Sequence, residues 1–123
     1  MNQPVKTPVV FVSGNFNIIH PGHIRLLNFA SSLAGTLVVG LRPDSPNTYV
    51  PAALRLSAMQ SMNMVQHCFL IEDSLESALR TLRPDIVVKG KEFETVANEE
   101  EIITEWGGKL IFCTDDLRLS SAY

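Results

Sequence analysis

The chain has 123 residues, of which 46% are hydrophobic and 19% are charged, and its formal net charge is −3. This composition is typical of a globular domain with a buried core, and it excludes a disordered chain and a large basic surface for nucleic acid. No apolar run approaches the roughly 20 residues of a membrane span, and no secretory signal is visible, so we expect a cytoplasmic protein without membrane contact.

The first half of the chain alternates between apolar runs and amphipathic segments. A β-rich run from Pro8 to Ser13 predicts the first strand, ended by Gly14. Apolar residues at helical spacing predict a helix over Pro21–Ala34, because proline is favoured at a first helical position. A second buried strand is predicted at Thr36–Leu41, and a second helix at Ala52–Val65 after a turn-rich segment.

The second half continues this alternation. The runs CFLI, DIVVK and KLIFC predict strands at Cys68–Ile71, Asp85–Lys89 and Lys109–Cys113. Helices are predicted between them, at Ser74–Leu82 and at Glu94–Gly108. The run NEEE, residues 98–101, is predicted to be the solvated first part of the last helix, where its acidic residues suit the helix dipole.

Short apolar strands that alternate with helices predict a doubly wound α/β fold, with a five-stranded parallel sheet covered by helices on both faces. Ligands of such sheets bind beyond the carboxyl ends of the strands, at a topological switch point. The segments 13–23, 42–49, 89–93 and 114–121 each follow a strand and are expected at that edge. We expect residues 1–123 to be a single domain that lacks its closing helix or is excerpted from a longer chain.

Two of the three histidines lie at the start of the first predicted helix, in the stretch GNFNIIHPGH. His20 directly precedes the helix, and His23 lies in its first turn. A helix N-terminus exposes unpaired N–H groups and carries roughly half a positive charge, so it attracts anions. Two imidazoles beside such a terminus predict a phosphate-binding site.

Spacing alone leaves other interpretations of the histidines open. They fit a purely structural role in capping and packing. Zinc binding lacks apparent further ligands, since Cys68 and Cys113 lie in strands as free thiols. A hydrolytic triad lacks a GxSxG elbow, and a dinucleotide site lacks a GxGxxG turn.

The stretch GNFNIIHPGH resembles the signature GxFDxxHxGH of the cytidylyltransferase-like nucleotidylyltransferases. The matching residues are Gly14, Phe16, His20, Gly22 and His23, and Asn17 stands where the family usually has aspartate. The segment LRPDIVVKGKEF is similar to one in the ADP-heptose-forming branch of this family. RLSSAY, near the end of the chain, resembles the start of the family's closing STT or SST motif.

The resemblance implies a nucleotidylyltransferase. A phosphate of a phosphorylated small molecule, such as a sugar phosphate, would attack the α-phosphorus of ATP or CTP and release pyrophosphate. His20 and His23 would be catalytic, contacting the triphosphate and stabilising the charged transition state. A Mg²⁺ ion would accompany the triphosphate, and no direct metal ligand is predicted.

The same resemblance implies further nucleotide or phosphate contacts. Ser120 and Ser121 would hold the departing pyrophosphate, with Arg118 beside them. The full predicted set is Gly14, Phe16, Asn17, Gly22, Arg55, Lys89, Gly90, Arg118, Ser120 and Ser121.

An alternative function is a non-catalytic nucleotide-binding or regulatory module of a larger protein, which the changes on the acceptor side favour. Asn17 replaces the family's acid, and Lys91 and Glu92 stand where Gly-Asp is usual. The expected partners are the nucleoside triphosphate and the phosphorylated acceptor. By analogy with the family we also expect a homodimer and a fused partner domain.

Overall fold

The computed structural model describes residues 5–17, 21–46, 48–90 and 99–113. The strands in these ranges are β1 (Val9–Gly14), β2 (Thr36–Leu41), β3 (His67–Leu70), β4 (Ile86–Gly90) and β5 (Lys109–Cys113). The helices are α1 (Pro21–Leu33), α2 (Ala52–Gln60), α3 (Leu75–Leu82) and α4 (Glu99–Ile103), and a 3₁₀ turn (Thr104–Trp106) follows α4.

The five strands form one sheet in the order β3-β2-β1-β4-β5, and all neighbouring strands are parallel. The chain moves outward from β1 to β3 and then returns to the other side of β1 at β4. The switch point therefore lies between β1 and β4. This topology confirms the predicted doubly wound α/β fold.

The pairing of β1 differs on its two sides. Towards β2 the ladder runs the whole length of β1, from Val9 opposite Thr36 to Gly14 opposite Leu41. Towards β4 it covers only Val10 opposite Ile86 and Phe11 opposite Val87. The carboxyl halves of β1 and β4 are therefore not joined by a ladder. We call the space beyond this unpaired end of the two strands, at the switch point, the crevice.

Alternate residues of β1 point to opposite faces of the sheet, as the pleat of a strand requires. Val10 and Val12 belong to a core cluster that also contains Leu27 of α1 and Met59 of α2. Val9 and Phe11 belong to a second cluster on the other face. The other buried members of that second cluster are Val38, Ile71, Leu79, Val87, Ile102 and Ile103. Both faces are thus covered by helices, which explains why the strands are continuously apolar.

Two predicted helix boundaries were wrong, and β3 begins one residue before the predicted strand. The second helix was predicted to reach Val65 but ends at Gln60. Tighter turns follow it, in which the N–H of Met62 donates to the Met59 carbonyl and the N–H of Val65 donates to the Met62 carbonyl. Met62 and Met64 pack on the core from these turns, so their apolar pattern mimicked a longer helix. The last helix was predicted to reach Gly108, but α4 ends at Ile103. Residues 94–98 of that prediction lie outside the described residues.

Among the described helices, none is long and apolar enough to cross a membrane.

Candidate active site

The loop that follows β1 has a conformation set by Phe16. This residue has a left-handed backbone (φ 50°), and its side chain turns back into the protein, with 5% of the residue exposed. A Cβ atom added at Gly14 would lie 3.0 Å from the Phe16 ring. A side chain at position 14 would therefore press on the phenylalanine ring, which is a packing reason for glycine in addition to the close phosphate approach implied by the resemblance.

The Phe16 ring also contacts His23. The centroids of the two rings are 4.9 Å apart, and their planes are inclined by 59°. His23 lies in the first turn of α1, which starts at Pro21 and contains no acidic residue in that turn. The structure therefore brings the imidazole of His23 to an electropositive helix terminus and fixes one face of it against Phe16.

Asn17 contacts the segment that precedes α2. Its Oδ1 atom accepts a hydrogen bond of 2.9 Å from the backbone N–H of Tyr49, and a longer contact of 3.5 Å comes from the N–H of Val50. The loop after β1 is thus attached to residues 49–50 through a side chain that was predicted to bind the nucleotide.

Arg55 is buried rather than exposed to a ligand. The residue is 1% exposed, and its guanidinium donates four hydrogen bonds to protein acceptors. Nε reaches the Val50 carbonyl (2.8 Å), Nη1 reaches the carbonyls of Asn15 (2.9 Å) and Arg42 (2.8 Å), and Nη2 reaches Oδ1 of Asp44 (2.9 Å). This burial argues against the direct phosphate contact that the resemblance implied.

Lys89 and Gly90 form the carboxyl end of β4, beside the crevice. The ammonium of Lys89 lies 3.1 Å from a carboxylate oxygen of Glu99, and the two side chains are only 12% and 7% exposed. Glu99, the first residue of α4, was predicted to be solvated with its acidic neighbours, and this prediction was wrong. The predicted nucleotide-binding lysine therefore has much of its charge balanced by a carboxylate.

Four predicted site residues, His20, Arg118, Ser120 and Ser121, lie outside the described residues. Within the described ranges, no group of three or more histidine, cysteine, aspartate or glutamate residues is arranged to hold a metal ion. Those ranges bring together Gly14, Phe16, Asn17, Gly22 and His23 at the end of β1.

Sequence reasoning missed Asp44 and Glu99, the carboxylates that accept from Arg55 and Lys89. Each lies about ten residues from its partner along the chain, with no periodic pattern to connect the pair. Only the fold shows that they meet.

A cleft of about 440 Å³ lies elsewhere, between the end of β3 and one face of α3. Phe69, Ile71 and Leu82 line its apolar part, and Glu72 and Asp73 line its rim. None of the predicted site residues borders this cleft. We therefore place the candidate site at the switch point, beside the predicted site residues of β1, β4 and α1, and not in this cleft.

Comparison with known proteins identifies the family of the chain. The sequence model of the cytidylyltransferase-like family matches residues 11–114, which include the last four residues of β1, the loop after it and α1. The chain belongs to the cytidylyltransferase-like family. The resemblance identified from GNFNIIHPGH is thereby confirmed.

Two named relatives show different lengths within this cytidylyltransferase-like family. The D-beta-D-heptose 1-phosphate adenylyltransferase of Bordetella bronchiseptica is 29% identical over 127 residues, and the match covers 93% of this chain and 77% of the relative. The bifunctional protein HldE of Gluconobacter oxydans is 31% identical over 115 residues, which cover 84% of this chain. The chain spans only 24% of the length of that bifunctional relative.

Solved structures support the fold. A lipopolysaccharide core biosynthesis protein from Thermoplasma volcanium superimposes with a TM-score of 0.71 at 25% identity, covering 85% of this chain and 93% of that protein. A pantoate-beta-alanine ligase from Francisella tularensis shares the fold with a TM-score of 0.65 at 19% identity, covering 92% of this chain and 61% of the ligase.

Proposed function

We propose that the protein is a nucleotidylyltransferase that transfers NMP from ATP or CTP to a phosphorylated small molecule and releases pyrophosphate. The observation that carries this proposal is the position of His23. Its imidazole is held against Phe16 at the amino end of α1, next to the crevice between β1 and β4. Membership of the cytidylyltransferase-like family supports the same reaction.

The chemistry follows from this arrangement. A phosphate oxygen of the acceptor attacks the α-phosphorus, a new P–O bond forms, and the bond between the α-phosphorus and the bridging oxygen breaks, so that pyrophosphate leaves with the electron pair. No proton has to be moved between side chains. The work of the protein is positioning and charge stabilisation, which His23, the predicted partner His20 and the N–H groups at the start of α1 supply.

For the substrates, we propose ATP as the preferred donor and a sugar 1-phosphate as the acceptor. The support is the Bordetella relative, a D-beta-D-heptose 1-phosphate adenylyltransferase, of which this chain covers 77%. The similarity of LRPDIVVKGKEF to the ADP-heptose-forming branch favours ATP as well.

Mg²⁺ is proposed to enter with the triphosphate. Two carboxylates near the crevice, of Asp44 and Glu99, are engaged by Arg55 and Lys89. The described residues therefore do not fit a preformed Mg²⁺ site, and phosphate oxygens and water suit this ion as ligands. No step of the mechanism above depends on the ion.

The remaining partners are also proposals. A homodimer is proposed by analogy with the family alone. A fused partner domain is proposed because the chain covers 24% of the bifunctional HldE relative. Light scattering of the purified chain tests the homodimer. A monomer at micromolar concentration would contradict it.

Pyrophosphate release tests the reaction. ATP and CTP are each offered with a panel of sugar 1-phosphates and other phosphorylated acceptors. We expect release that depends on an acceptor and falls about a hundredfold or more in His23→Ala, because one lost transition-state donor costs this much in other enzymes. His20→Ala is measured in parallel. His67→Ala serves as the matched control, since His67 is exposed at the start of β3 and distant in the sheet order from the crevice.

ATP binding without turnover, for every acceptor in the panel, would contradict the enzyme and favour the non-catalytic module. Two observations favour this non-catalytic module: Asn17 stands where the family usually has aspartate, and the charge of Lys89 is paired with Glu99.

A further inference from the structure

The hydrogen bonds of Arg55 connect three separate segments of the site. Asn15 directly follows β1, Arg42 directly follows β2, and Val50 lies just before α2. The guanidinium reaches the backbone carbonyl of each of them at 2.8 to 2.9 Å. A rigid planar fork can satisfy several acceptors with fixed directions, which an ammonium cannot do.

The carboxylate of Asp44 completes the surroundings of Arg55. Its Oδ1 atom lies 2.9 Å from Nη2, and the arginine side chain is fully buried, whereas that of Asp44 is 61% exposed. Asp44 belongs to the segment after β2. This ion pair and the hydrogen bond to the Arg42 carbonyl therefore attach the same segment to Arg55. Protein acceptors therefore take four of the five N–H donors of this buried cation.

Asn17 provides a second, independent connection. Its side chain accepts from the N–H of Tyr49, and Arg55 donates to the carbonyl of the next residue, Val50. The short stretch before α2 is therefore held from two directions, once by the loop after β1 and once by α2 itself.

We propose that Arg55 and Asn17 are positioning residues of the transfer reaction: they fix the loop after β1, which leads to His23, against the loop after β2. This inference rests on the proposed function and assigns to Arg55 a role different from the phosphate contact implied by the resemblance. A shift of about 1 Å in the reacting groups can cost a hundredfold in rate. Loss of either connection is therefore expected to lower kcat more than it lowers the affinity for nucleotide.

The test compares kcat with the Kd for ATP, measured by calorimetry, in matched variants. In Arg55→Lys we expect kcat to fall about tenfold to a hundredfold, because the lysine cannot hold all the acceptors, while the Kd changes less than about threefold. Asn17→Ala should show the same pattern. Asn17→Asp keeps an acceptor oxygen and should recover most of the kcat that the alanine variant loses.

Two controls separate positioning from stability. Arg80→Lys alters an arginine of α3 that is paired with Glu76 of the same helix and with Glu105 of the 3₁₀ turn. This variant should change neither constant. Leu79→Ala opens a cavity in the core under α3 and lowers the melting temperature without touching the site.

If Arg55→Lys weakens ATP binding about tenfold with kcat unchanged, Arg55 is a phosphate ligand and the inference is wrong. If both constants per folded molecule stay at wild-type values while stability falls as in Leu79→Ala, the arginine is merely structural.

Amide hydrogen exchange tests the positioning role without any turnover, because it needs no acceptor. It therefore distinguishes failure of this inference from failure of the proposed function. The N–H groups of Tyr49 and Val50 should exchange faster in Arg55→Lys and in Asn17→Ala than in the wild type. Equal exchange rates in all three proteins would overturn the positioning role.

Discussion

Phe16 shows how much of the site depends on one side chain. Its left-handed backbone costs a non-glycine residue about 1 kcal/mol or more, so other contacts have to maintain it. The buried ring supplies them by packing on Gly14 and on the imidazole of His23. The aromatic residue of the GNFNIIHPGH stretch is thereby explained as a support for the histidine.

Cys68 gives a prediction at the same scale. Burial raises the pKa of its thiol from 9.0 to about 11. The thiolate fraction at pH 8 is then about a hundredfold lower than in the unfolded chain, and alkylation by iodoacetamide should slow accordingly, because only the thiolate reacts. The pKa of Cys68 is higher in the folded than in the unfolded chain. The protonated thiol therefore contributes stability to the folded state below pH 9.0, and this contribution is lost as the pH rises to about 11.

The measurement uses the Cys113→Ser variant, in which Cys68 is the only thiol, and compares the alkylation rates of native and urea-unfolded protein. A Cys68→Ser, Cys113→Ser double variant provides the blank. Equal native and unfolded rates would contradict the protected thiol.

At the scale of elements, β4 and α4 are connected by the ion pair of Lys89 and Glu99. Both side chains are nearly buried, and each compensates charge on the other. The pair lies where β4 ends and α4 begins. Removing one partner of such a pair costs more stability than removing both.

We therefore expect Glu99→Gln to lower the free energy of unfolding by about 3 kcal/mol, because it leaves a nearly buried cation without its carboxylate. The double variant Lys89→Met, Glu99→Leu removes both charges and should be more stable than the single variant. Urea unfolding measures both. A single variant as stable as the wild type would show that the pair is not coupled. Weaker ATP binding by the double variant would support the nucleotide contact predicted for Lys89.

At the scale of the whole molecule, the alternation of apolar strands and helices predicted the fold class, because both faces of the sheet are covered and the strands are apolar throughout. The two connections of Arg55 and Asn17 could not be predicted in this way. Their partners include backbone groups of Asn15, Arg42 and Tyr49, and backbone groups leave no signal in a sequence. The resemblance predicted the site residues, and the hydrogen bonds seen in the fold support the positioning role that we propose for Arg55 and Asn17.

The packing of the two core clusters gives a prediction for the stability of the whole domain. A Cβ atom at Gly40 would lie 2.8 Å from the ring of Phe11, which is only 1% exposed and has no space to move. Gly40→Ala should therefore lower the free energy of unfolding by about 1–3 kcal/mol, as overpacking does in other cores.

Chemical denaturation of four proteins tests this explanation. In a Phe11→Leu background the same alanine should cost less than half as much, because the obstructing ring is gone. Ser57→Ala, on the exposed face of α2, is the neutral control. If the cost of the alanine is independent of residue 11, the clash with Phe11 is not its cause.

The short ladder between β1 and β4 has a consequence for how the domain responds to its substrate. The β1–β4 ladder of two residue pairs, with the hydrogen bonds between Val9 and Asp85, links the three strands on one side of the sheet to the two on the other. We expect a nucleotide bound across the unpaired end of these strands to add contacts between the two halves. Such binding would raise the free energy of unfolding of the domain as the nucleotide concentration rises.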